Sequence, residues 1–504
     1  MELQPSSLFP ILVCFVFFIF MAMTIGKRSK STSNLPPGPW MLPLVGNLHQ
    51  MVGSLPHHAL RDLAKKYGPF VYLQLGQVPT IVVSSAEYAK EVMKTHDIKF
   101  ATRPYSLATN IIFYNFKDVA FAPYGDYWRQ MRKICTIEVF SGRRVQATRP
   151  IREEETLEFI KSISLKARSK VNLSEMLTCL SFAITLKASF GGNSERHGAF
   201  LPLVREVIEV IAGFSLADIF PSIKFFHMIS GMRTRLENLH HEIDQILENL
   251  INEHRLNRSR IDSSDADNFL DILLNLQEHG DFTFTTDNIK AVVLDIFLAG
   301  TETSSTTIEW AMSELLKNPR VMAKAQAEVR QVFDKKGCVD AAGLKELAFL
   351  TAVIKETLRL HPPAPLLVPR ECRERCHING YEIPEKTHII INAWVIGRDP
   401  NYWTDAERFY PERFLDSSID YMGNNFEYIP FGAGRRICPG LSLGIANTEL
   451  QLAQLLYHFD WKLPDNIKQE DLDMTERLGL AVGRKSDLVL IPIPYNSSVV
   501  KENK

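Results

Sequence analysis

The sequence has little of what would assign it to several common classes of protein. Its 57 Lys and Arg residues are balanced by 58 Asp and Glu. With no basic excess to neutralise phosphates, this argues against a nucleic-acid partner. The seven cysteines are odd in number and lack paired spacing, so they predict no disulfide framework. Cys372, Cys376 and His377 lack a second ligand pair at zinc-finger spacing.

Two further absences concern cofactors and repeats. We find no internal repeat in the 504 residues. Gly432 and Gly434 share the start of a nucleotide-binding glycine pattern, but the chain continues into two arginines and a cysteine. This continuation does not fit the turn that binds a dinucleotide pyrophosphate. The sequence therefore predicts no flavin or nicotinamide site of its own.

The first thirty residues contain an apolar run, Leu8–Ile25, which is followed at once by Lys27, Arg28 and Lys30. Its length is at the lower end for a membrane-spanning helix, which needs ~20 residues. A cleaved signal peptide is the alternative, but its positive charge would precede the apolar run and a small-residue cleavage site would follow. We therefore predict one N-terminal transmembrane helix with a basic flank over residues 1–30. The positive-inside rule then places the rest of the chain in the cytosol.

A short spacer follows the predicted anchor. Residues 31–40 contain the run Leu35-Pro36-Pro37-Gly38-Pro39, which cannot form a helix and is expected to be stiff and extended. We interpret it as a hinge between the membrane and the globular part. Residues 41–504 are then predicted to form a single domain.

Helical periodicity dominates that domain, and strand patterns are few. Residues 70–84 alternate β-branched and aromatic residues around a Gly-Pro break, which predicts a hairpin. Residues 101–123 are irregular and rich in aromatics, as functional loops often are. The fold class is therefore predicted to be mainly α with a small β region. The clearest helical patterns cover residues 86–95, 156–167, 203–212, 236–255 and 287–318, the last with Asp287 as its expected N-cap.

The most informative stretch is Phe431–Gly440, which places Cys438 among glycines and arginines just before a helical pattern. Backbone N–H groups and the helix dipole stabilise a thiolate there, and a thiolate is a metal ligand. A merely buried cysteine is the alternative. The ten residues match Phe-x-x-Gly-x-Arg-x-Cys-x-Gly and resemble the haem-binding loop of the cytochrome P450 family. That resemblance implies the P450 fold, haem b as cofactor, Cys438 as the axial iron ligand, and cofactor contacts from Phe431, Gly432 and Arg436.

A second resemblance lies in the long predicted helix, where Ala299-Gly300-Thr301-Glu302-Thr303 is similar to the family's oxygen-activation segment. A hydroxyl with a neighbouring carboxylate can order a proton relay in a dry pocket, so Thr303 and Glu302 are the expected catalytic residues. Thr303 as a back-bonded core residue is the alternative. For Glu302 the alternative is a solvated acidic stripe, since Asp295, Glu302 and Glu309 recur every seven residues.

Further positions match the family only by resemblance, since each has an ordinary surface or core interpretation. Trp128 and Arg132 share a helix face, and the resemblance implies that they and Arg370 bind the haem propionates. Glu356, Arg359 and Arg413 match the family's structural Glu-Arg-Arg cluster. The residues expected to line the substrate pocket are Ile111, Ile112, Phe113, Phe297, Ala299, Leu366, Leu367, Val368 and Leu480, and none of them is charged.

The resemblance implies a monooxygenase that uses O2 and receives electrons from NADPH through a separate cytochrome P450 reductase. An uncharged pocket suits a hydrophobic substrate. The motifs resemble most the plant microsomal enzymes that oxidise sesquiterpenes and diterpenes, so we expect such a substrate and an endoplasmic reticulum membrane location. An alkaloid or flavonoid substrate is the first alternative. A haem-thiolate isomerase or dehydratase without NADPH, and a non-enzymatic scaffold with a merely buried Cys438, are the others.

Overall fold

The computed structural model describes residues 34–191, 200–212, 216–222, 231–258, 268–280, 283–464, 467–479 and 481–495. The predicted transmembrane helix of residues 1–30 lies outside this range, as does Leu480. The described part of the predicted hinge, residues 34–40, lies beside the first strand, where the Tyr72 N–H donates to the Pro37 carbonyl.

Helices make up most of the described chain, as predicted. They cover Pro56–Tyr67, Ala86–Lys90, Leu107–Ile112, Asp126–Ile134, Gly142–Ala147, Arg149–Leu165, Leu173–Phe190, Phe200–Ala212, Leu216–Ile219, Met232–Arg258, Phe269–His279, Thr286–Lys317, Pro319–Phe333, Ala341–Leu344, Ala348–Leu360, Ala393–Ile396 and Leu441–His458. Tighter 3-10 turns cover Leu48–Met51, Asp97–Phe100, Pro411–Phe414, Gly434–Arg436 and Gln469–Asp471, and wider π turns cover Glu91–Thr95 and Cys135–Val139.

The strands form four small sheets. The predicted hairpin is present, because Phe70–Leu75 pairs antiparallel with Val78–Val83. The sheet continues through His388–Ile391 to Arg370–Glu371, so the hairpin joins the C-terminal half of the chain. The other three sheets contain Val171–Asn172 with Val489–Pro494 and Phe459–Lys462, Cys376–Ile378 with Tyr381–Ile383, and Glu476–Arg477 with Gly483–Arg484.

The helix Thr286–Lys317, called the central helix below, runs through the core. It begins at Thr286, two residues earlier than Asp287 as N-cap would give, because Thr285 and Asn288 form a reciprocal capping box. Pro319 follows two residues after its last turn. The helix packs against Leu173–Phe190 and Leu441–His458. The central helix is buried on nearly all sides. Its small residues therefore leave room for a cavity between the helix and its neighbours.

Among the described residues, one helix is long and apolar enough to cross a membrane, Leu173–Phe190. Of that window, 61% is buried inside the protein. Its neighbour is the central helix, and Leu177, Leu180 and Ile184 are packed in the same core cluster as Ile308. The apolar character of Leu173–Phe190 is therefore explained by core packing.

Candidate active site

The glycine-rich loop, residues 431–440, holds its cysteine through backbone geometry. Gly434 has φ of +67°, and a Cβ atom there would lie 2.0 Å from the carbonyl oxygen of Met93. Only glycine allows both the left-handed conformation and this close approach. The N–H of Cys438 donates to the Phe431 carbonyl at 3.0 Å, which closes the loop just before the helix Leu441–His458 begins.

The Cys438 thiol lines an internal cavity of the protein. Burial raises the pKa of this thiol, whereas the backbone N–H groups of Gly440 and Leu441 and the charge of Arg132 act in the opposite direction. All three opposing groups would stabilise a thiolate. A cation at the sulfur supplies the charge compensation that burial otherwise withholds, so the setting suits a metal-ligating cysteine.

The central helix contributes a second wall of the same cavity through Ala299, Gly300 and Thr303. The Thr303 hydroxyl donates to the Ala299 carbonyl at 2.6 Å, so Thr303 is back-bonded to its own helix, as the alternative interpretation expects. That bond uses the hydroxyl proton and leaves the oxygen lone pairs free to face the cavity. Back-bonding and a role toward the cavity are therefore compatible for Thr303.

Glu302 lies beside the cavity and does not line it. Its Oε2 atom accepts from the Ala481 N–H at 3.4 Å, and burial raises the pKa of its carboxyl group. Burial also raises the pKa of Glu309, which accepts from the Ser174 hydroxyl, and of Asp295. The solvated acidic stripe weighed from the seven-residue spacing is therefore wrong, because Glu309 is buried and Asp295 and Glu302 are half-buried, with Asp295 lining the cavity.

One edge of the cavity is cationic, and four side chains expected from the sequence lie there: Trp128, Arg132, Arg370 and Arg436. Arg436 donates to the carbonyls of Ala101, Val119 and Ala122, at 2.7, 3.1 and 2.5 Å. The Trp128 indole N–H donates to the same Val119 carbonyl at 3.0 Å, and the Arg436 guanidinium stacks 4.2 Å from the indole centroid.

The other two arginines differ in how they are paired. Arg370 donates to the Asp97 carboxylate at 2.9 Å and to the Ala433 carbonyl at 2.8 Å, so a single acid balances it. Arg132 has no hydrogen-bond or ion-pair partner among the described residues, although burial lowers its pKa. A half-buried guanidinium that faces a cavity without a partner calls for an anion there.

Arg103 is a further cationic residue at this edge that sequence reasoning missed. Its guanidinium donates to the carbonyls of Ala120, Val368 and Pro369, at 2.9, 2.7 and 2.8 Å. Burial, together with the charges of Arg436 and Arg370, lowers its pKa well below the ordinary value. Only its position in the irregular stretch of residues 101–123 could have drawn attention to it.

The structural cluster matched by resemblance is assembled around Glu356, which is fully buried. Its carboxylate accepts two bonds from Arg359, at 2.7 and 2.8 Å, and one from Arg413 at 3.0 Å. The backbone N–H of Tyr410 adds a fourth bond at 2.8 Å. Arg359 also donates to the carbonyls of Gly397 and Ala406, so the cluster fastens the helix Ala348–Leu360 to the segment that leads toward the glycine-rich loop.

The expected pocket residues divide into two groups. Ala299, Leu367 and Val368 line the cavity, together with Val292 and Ile296, which were not expected. Leu480 lies outside the described residues. Five residues expected along the pocket do not line it as the structure describes it, namely Ile111, Ile112, Phe113, Phe297 and Leu366.

Each of these corrections has a packing reason. Ile112 and Phe113 are fully buried at the end of a short helix that packs against Met232–Arg258, and Ile111 packs in the same cluster. Leu366 packs against the cluster formed by the first sheet. Phe297 is buried in an aromatic cluster, 4.9 Å between ring centroids from Phe200.

The residues at this site fit a haem. The Cys438 thiol on one wall could ligate the iron, small residues of the central helix leave space beside it, and an unpaired arginine at the cationic edge suits the carboxylate groups of a haem. Gly432 has φ of +71° and keeps its side of the loop free of any side chain. The described cavity wall thus includes the four residues that the motif predicts to contact the cofactor: Phe431, Gly432, Arg436 and Cys438.

Comparisons with known proteins agree with this geometry. The Cytochrome P450 family model matches residues 36–491. The chain is 52% identical over 489 residues to premnaspirodiene oxygenase of Hyoscyamus muticus, covering 96% of this chain and 97% of that protein. It is 50% identical over 513 residues to tabersonine 16-hydroxylase 2 of Catharanthus roseus, covering 99% of each.

Solved structures show the same fold. A zebra fish cytochrome P450 solved with progesterone superposes with a TM-score of 0.75 at 25% identity, covering 88% of this chain and all of that one. The match confirms the mainly helical fold with small sheets that the sequence predicts. The chain belongs to the cytochrome P450 family and is a haem-dependent monooxygenase.

Proposed function

We propose that this monooxygenase hydroxylates or otherwise oxidises a hydrophobic plant specialised metabolite, with a sesquiterpene or diterpene as its substrate. The observation that carries the proposal is the uncharged part of the cavity wall, formed by Val292, Ile296, Ala299, Leu367 and Val368. Such a wall binds hydrocarbon by burial and offers little to orient a strongly polar ligand. The resemblance to premnaspirodiene oxygenase supports the same substrate class.

The proposed cofactor contacts follow from the geometry. Cys438 would ligate the iron as a thiolate, and Phe431 and Gly432 would lie beneath the macrocycle. The carboxylate groups of the haem would be held at the cationic edge by Trp128, Arg132, Arg370 and Arg436, with Arg103 beside them. When bound, the haem supplies the chemistry of O2 activation that no side chain can perform.

Proton delivery is the proposed task of the central helix. Thr303 presents its hydroxyl oxygen to the cavity, and the neighbouring Glu302 holds its proton to a higher pH than a free glutamate because burial raises its pKa. A buried acid next to a hydroxyl can pass a proton inward while bulk water stays excluded. The Glu356, Arg359 and Arg413 cluster would keep the glycine-rich loop in register.

Electron supply must come from outside the chain, since the sequence shows no flavin or nicotinamide motif. We therefore assign NADPH–cytochrome P450 reductase as the partner. Residues 1–30 would anchor the protein in the endoplasmic reticulum membrane as a single span, and residues 31–40 would connect that span to a cytosolic catalytic domain of residues 41–504. The apolar run followed by three basic residues supports this topology.

The test is product formation in microsomes that contain the reductase, with and without NADPH, against terpene hydrocarbons, flavonoids and indole alkaloids. We expect NADPH-dependent addition of oxygen to a terpene, detected by mass spectrometry. Turnover of an alkaloid alone would replace the substrate class, and the resemblance to tabersonine 16-hydroxylase 2 makes this the principal alternative. Turnover that is independent of NADPH would identify an isomerase or dehydratase and refute the proposed oxidation.

A further inference from the structure

Two acids, Asp118 and the half-buried Asp295 that lines the cavity, join the segment of residues 118–122 to the central helix. Asp118 is fully buried, and its Oδ2 atom accepts from the Phe121 N–H at 2.6 Å. Asp295 lies on the central helix, and its Oδ2 atom accepts from the N–H groups of Val119 and Ala120, at 2.7 and 3.2 Å. Consecutive backbone N–H groups of one short segment are thus divided between two neighbouring carboxyls.

This segment supports the cationic edge of the cavity. The Val119 carbonyl accepts from both Arg436 and the Trp128 indole, and the Ala122 carbonyl accepts from Arg436. The Ala120 carbonyl accepts from Arg103. Backbone oxygens that hold two arginines and a tryptophan can keep their positions only if the segment itself is fixed, so the two acids act on the edge through the backbone.

The two carboxyls are incompletely paired. The Oδ1 atom of Asp118 is buried and has no hydrogen-bond partner among the described residues. Among the described residues, neither acid has an arginine, lysine or histidine nitrogen within 4.0 Å. The charges of Arg436 and Arg103 lower the pKa of Asp118 from a greater distance. The other titratable groups that face the pair are Tyr127 and Cys135. Burial raises the pKa of both, so both are neutral and neither compensates the acids.

Two ionised carboxylates at such a site would repel each other without direct compensation. Burial raises the pKa of Asp118 to about 7, and burial together with the Asp118 charge raises the pKa of Asp295 well above its ordinary value. The two protons belong to the pair and cannot be assigned to either residue alone. One proton held by the pair leaves one negative charge facing the arginines.

We propose that Asp118 and Asp295 form a positioning pair that holds one proton between them and fixes residues 118–122, and with them Arg103, Arg436 and Trp128, at the edge of the haem site. The inference rests on the proposed role of this edge in binding the haem and does not depend on the substrate. Both residues act through the backbone and need not touch the reacting atoms.

The proposal predicts a non-additive response to neutral substitution. In Asp118→Asn or Asp295→Asn, the amide replaces the protonated partner, its oxygen still accepts the backbone N–H bonds, and the other acid keeps the single charge. The double variant removes that charge and leaves the two arginines uncompensated. Residues in one network should then couple strongly, in contrast to the additivity of independent sites.

The experiment measures haem content per protein and the thermal midpoint of the purified full-length holoenzyme. We expect each single Asn variant to lie within about 1 °C of wild type and the double variant to fall by about 3 °C, with at least about a twofold loss of haem. Asp97→Asn is the matched comparison, because Asp97 forms a direct ion pair with Arg370 at 2.9 Å and its single substitution should be costly.

Two patterns would overturn the proposal. Equal losses in each single variant, with an additive double variant, would show two ionised carboxylates, and a mild double variant would show two neutral acids. Infrared spectra give an independent check that does not need substrate turnover. The difference spectrum of wild type minus each single variant should contain the C=O stretch of one protonated carboxylic acid, and the absence of that band from both differences would also refute the shared proton.

Discussion

Replacing Glu356 by alanine tests how strongly the buried Glu-Arg-Arg cluster holds the fold. The substitution removes four hydrogen bonds to one carboxylate, from Arg359, Arg413 and the Tyr410 backbone. It also leaves the Arg359 guanidinium, 1% exposed, without a counter-charge. Removing one partner of a buried ion pair costs about 3–5 kcal/mol, because the remaining charge stays desolvated.

The corresponding shift in the thermal midpoint can be estimated from the size of the domain. The family model spans residues 36–491. With an unfolding entropy of about 2.1 cal/mol/K per residue, roughly 450 residues give about 1 kcal/mol/K. A loss of about 3–5 kcal/mol therefore lowers the midpoint by about 3–5 °C.

The matched control is Glu153→Ala, which breaks the ion pair with Arg149 at 2.7 Å on the surface, where the two side chains are 35% and 42% exposed. Surface pairs contribute about 0–1 kcal/mol, so this midpoint should move by less than about 1 °C. The assay is thermal unfolding of both variants, with haem content measured on the same samples. Equal midpoints for the two variants would refute the argument that the Glu356 cluster is a structural anchor.

Three further predictions follow from the site and its surroundings. Thr303→Val should lower product formed per NADPH at least about tenfold while NADPH oxidation continues, and Thr303→Ser should largely restore it, because only a hydroxyl can pass a proton. Arg132→Ala should reduce haem content more than Arg129→Ala, since Arg129 pairs with Asp126 on the surface and does not line the cavity. Burial lowers the pKa of His388 to about 4 from an ordinary 6.5, so its stabilising contribution is complete above pH 6.5 and is lost as the pH falls toward 4. Between pH 7 and 5 the wild type should therefore lose up to about 2 kcal/mol of unfolding free energy that His388→Asn does not lose. The thermal midpoint of the variant should accordingly decline less over this pH range.

The sequence was sufficient to predict a site residue where the residues next to it in the chain form a recognisable motif. The surroundings of Cys438 are set within ten residues by two glycines and a helix start, so the loop could be read locally. The hairpin of residues 70–84 was likewise encoded by its own alternation. The helical periodicity predicted the central helix but not its N-cap. The N-cap is Thr285, which forms a reciprocal capping box with Asn288, whereas Asp287 was expected because it is the first acidic residue of the pattern.

Contacts between distant segments were not predictable in the same way. Phe297 follows Ile296 by a rotation of about 100°, which turns it away from the cavity into the aromatic cluster. A broad apolar face does not reveal which of two adjacent residues faces an internal space. Arg103 was missed because two of the three carbonyls that hold it, those of Val368 and Pro369, lie 265 and 266 residues away in the chain.

The described interior of this protein contains many charged side chains, and several of them lie where loops meet the haem site. Arg370 is 3% exposed and pairs with Asp97, which is 4% exposed, while Asp97 also accepts from the Arg435 backbone in the glycine-rich loop. Buried ion pairs give little net stability compared with apolar residues of the same volume, but breaking one is costly. A loop held by such pairs therefore has one low-energy arrangement and steep penalties for the others. Irregular backbone has no helix or sheet hydrogen bonds to fix it in this way. We therefore expect substitutions at these buried charges to leave the domain folded but the haem site incorrectly assembled.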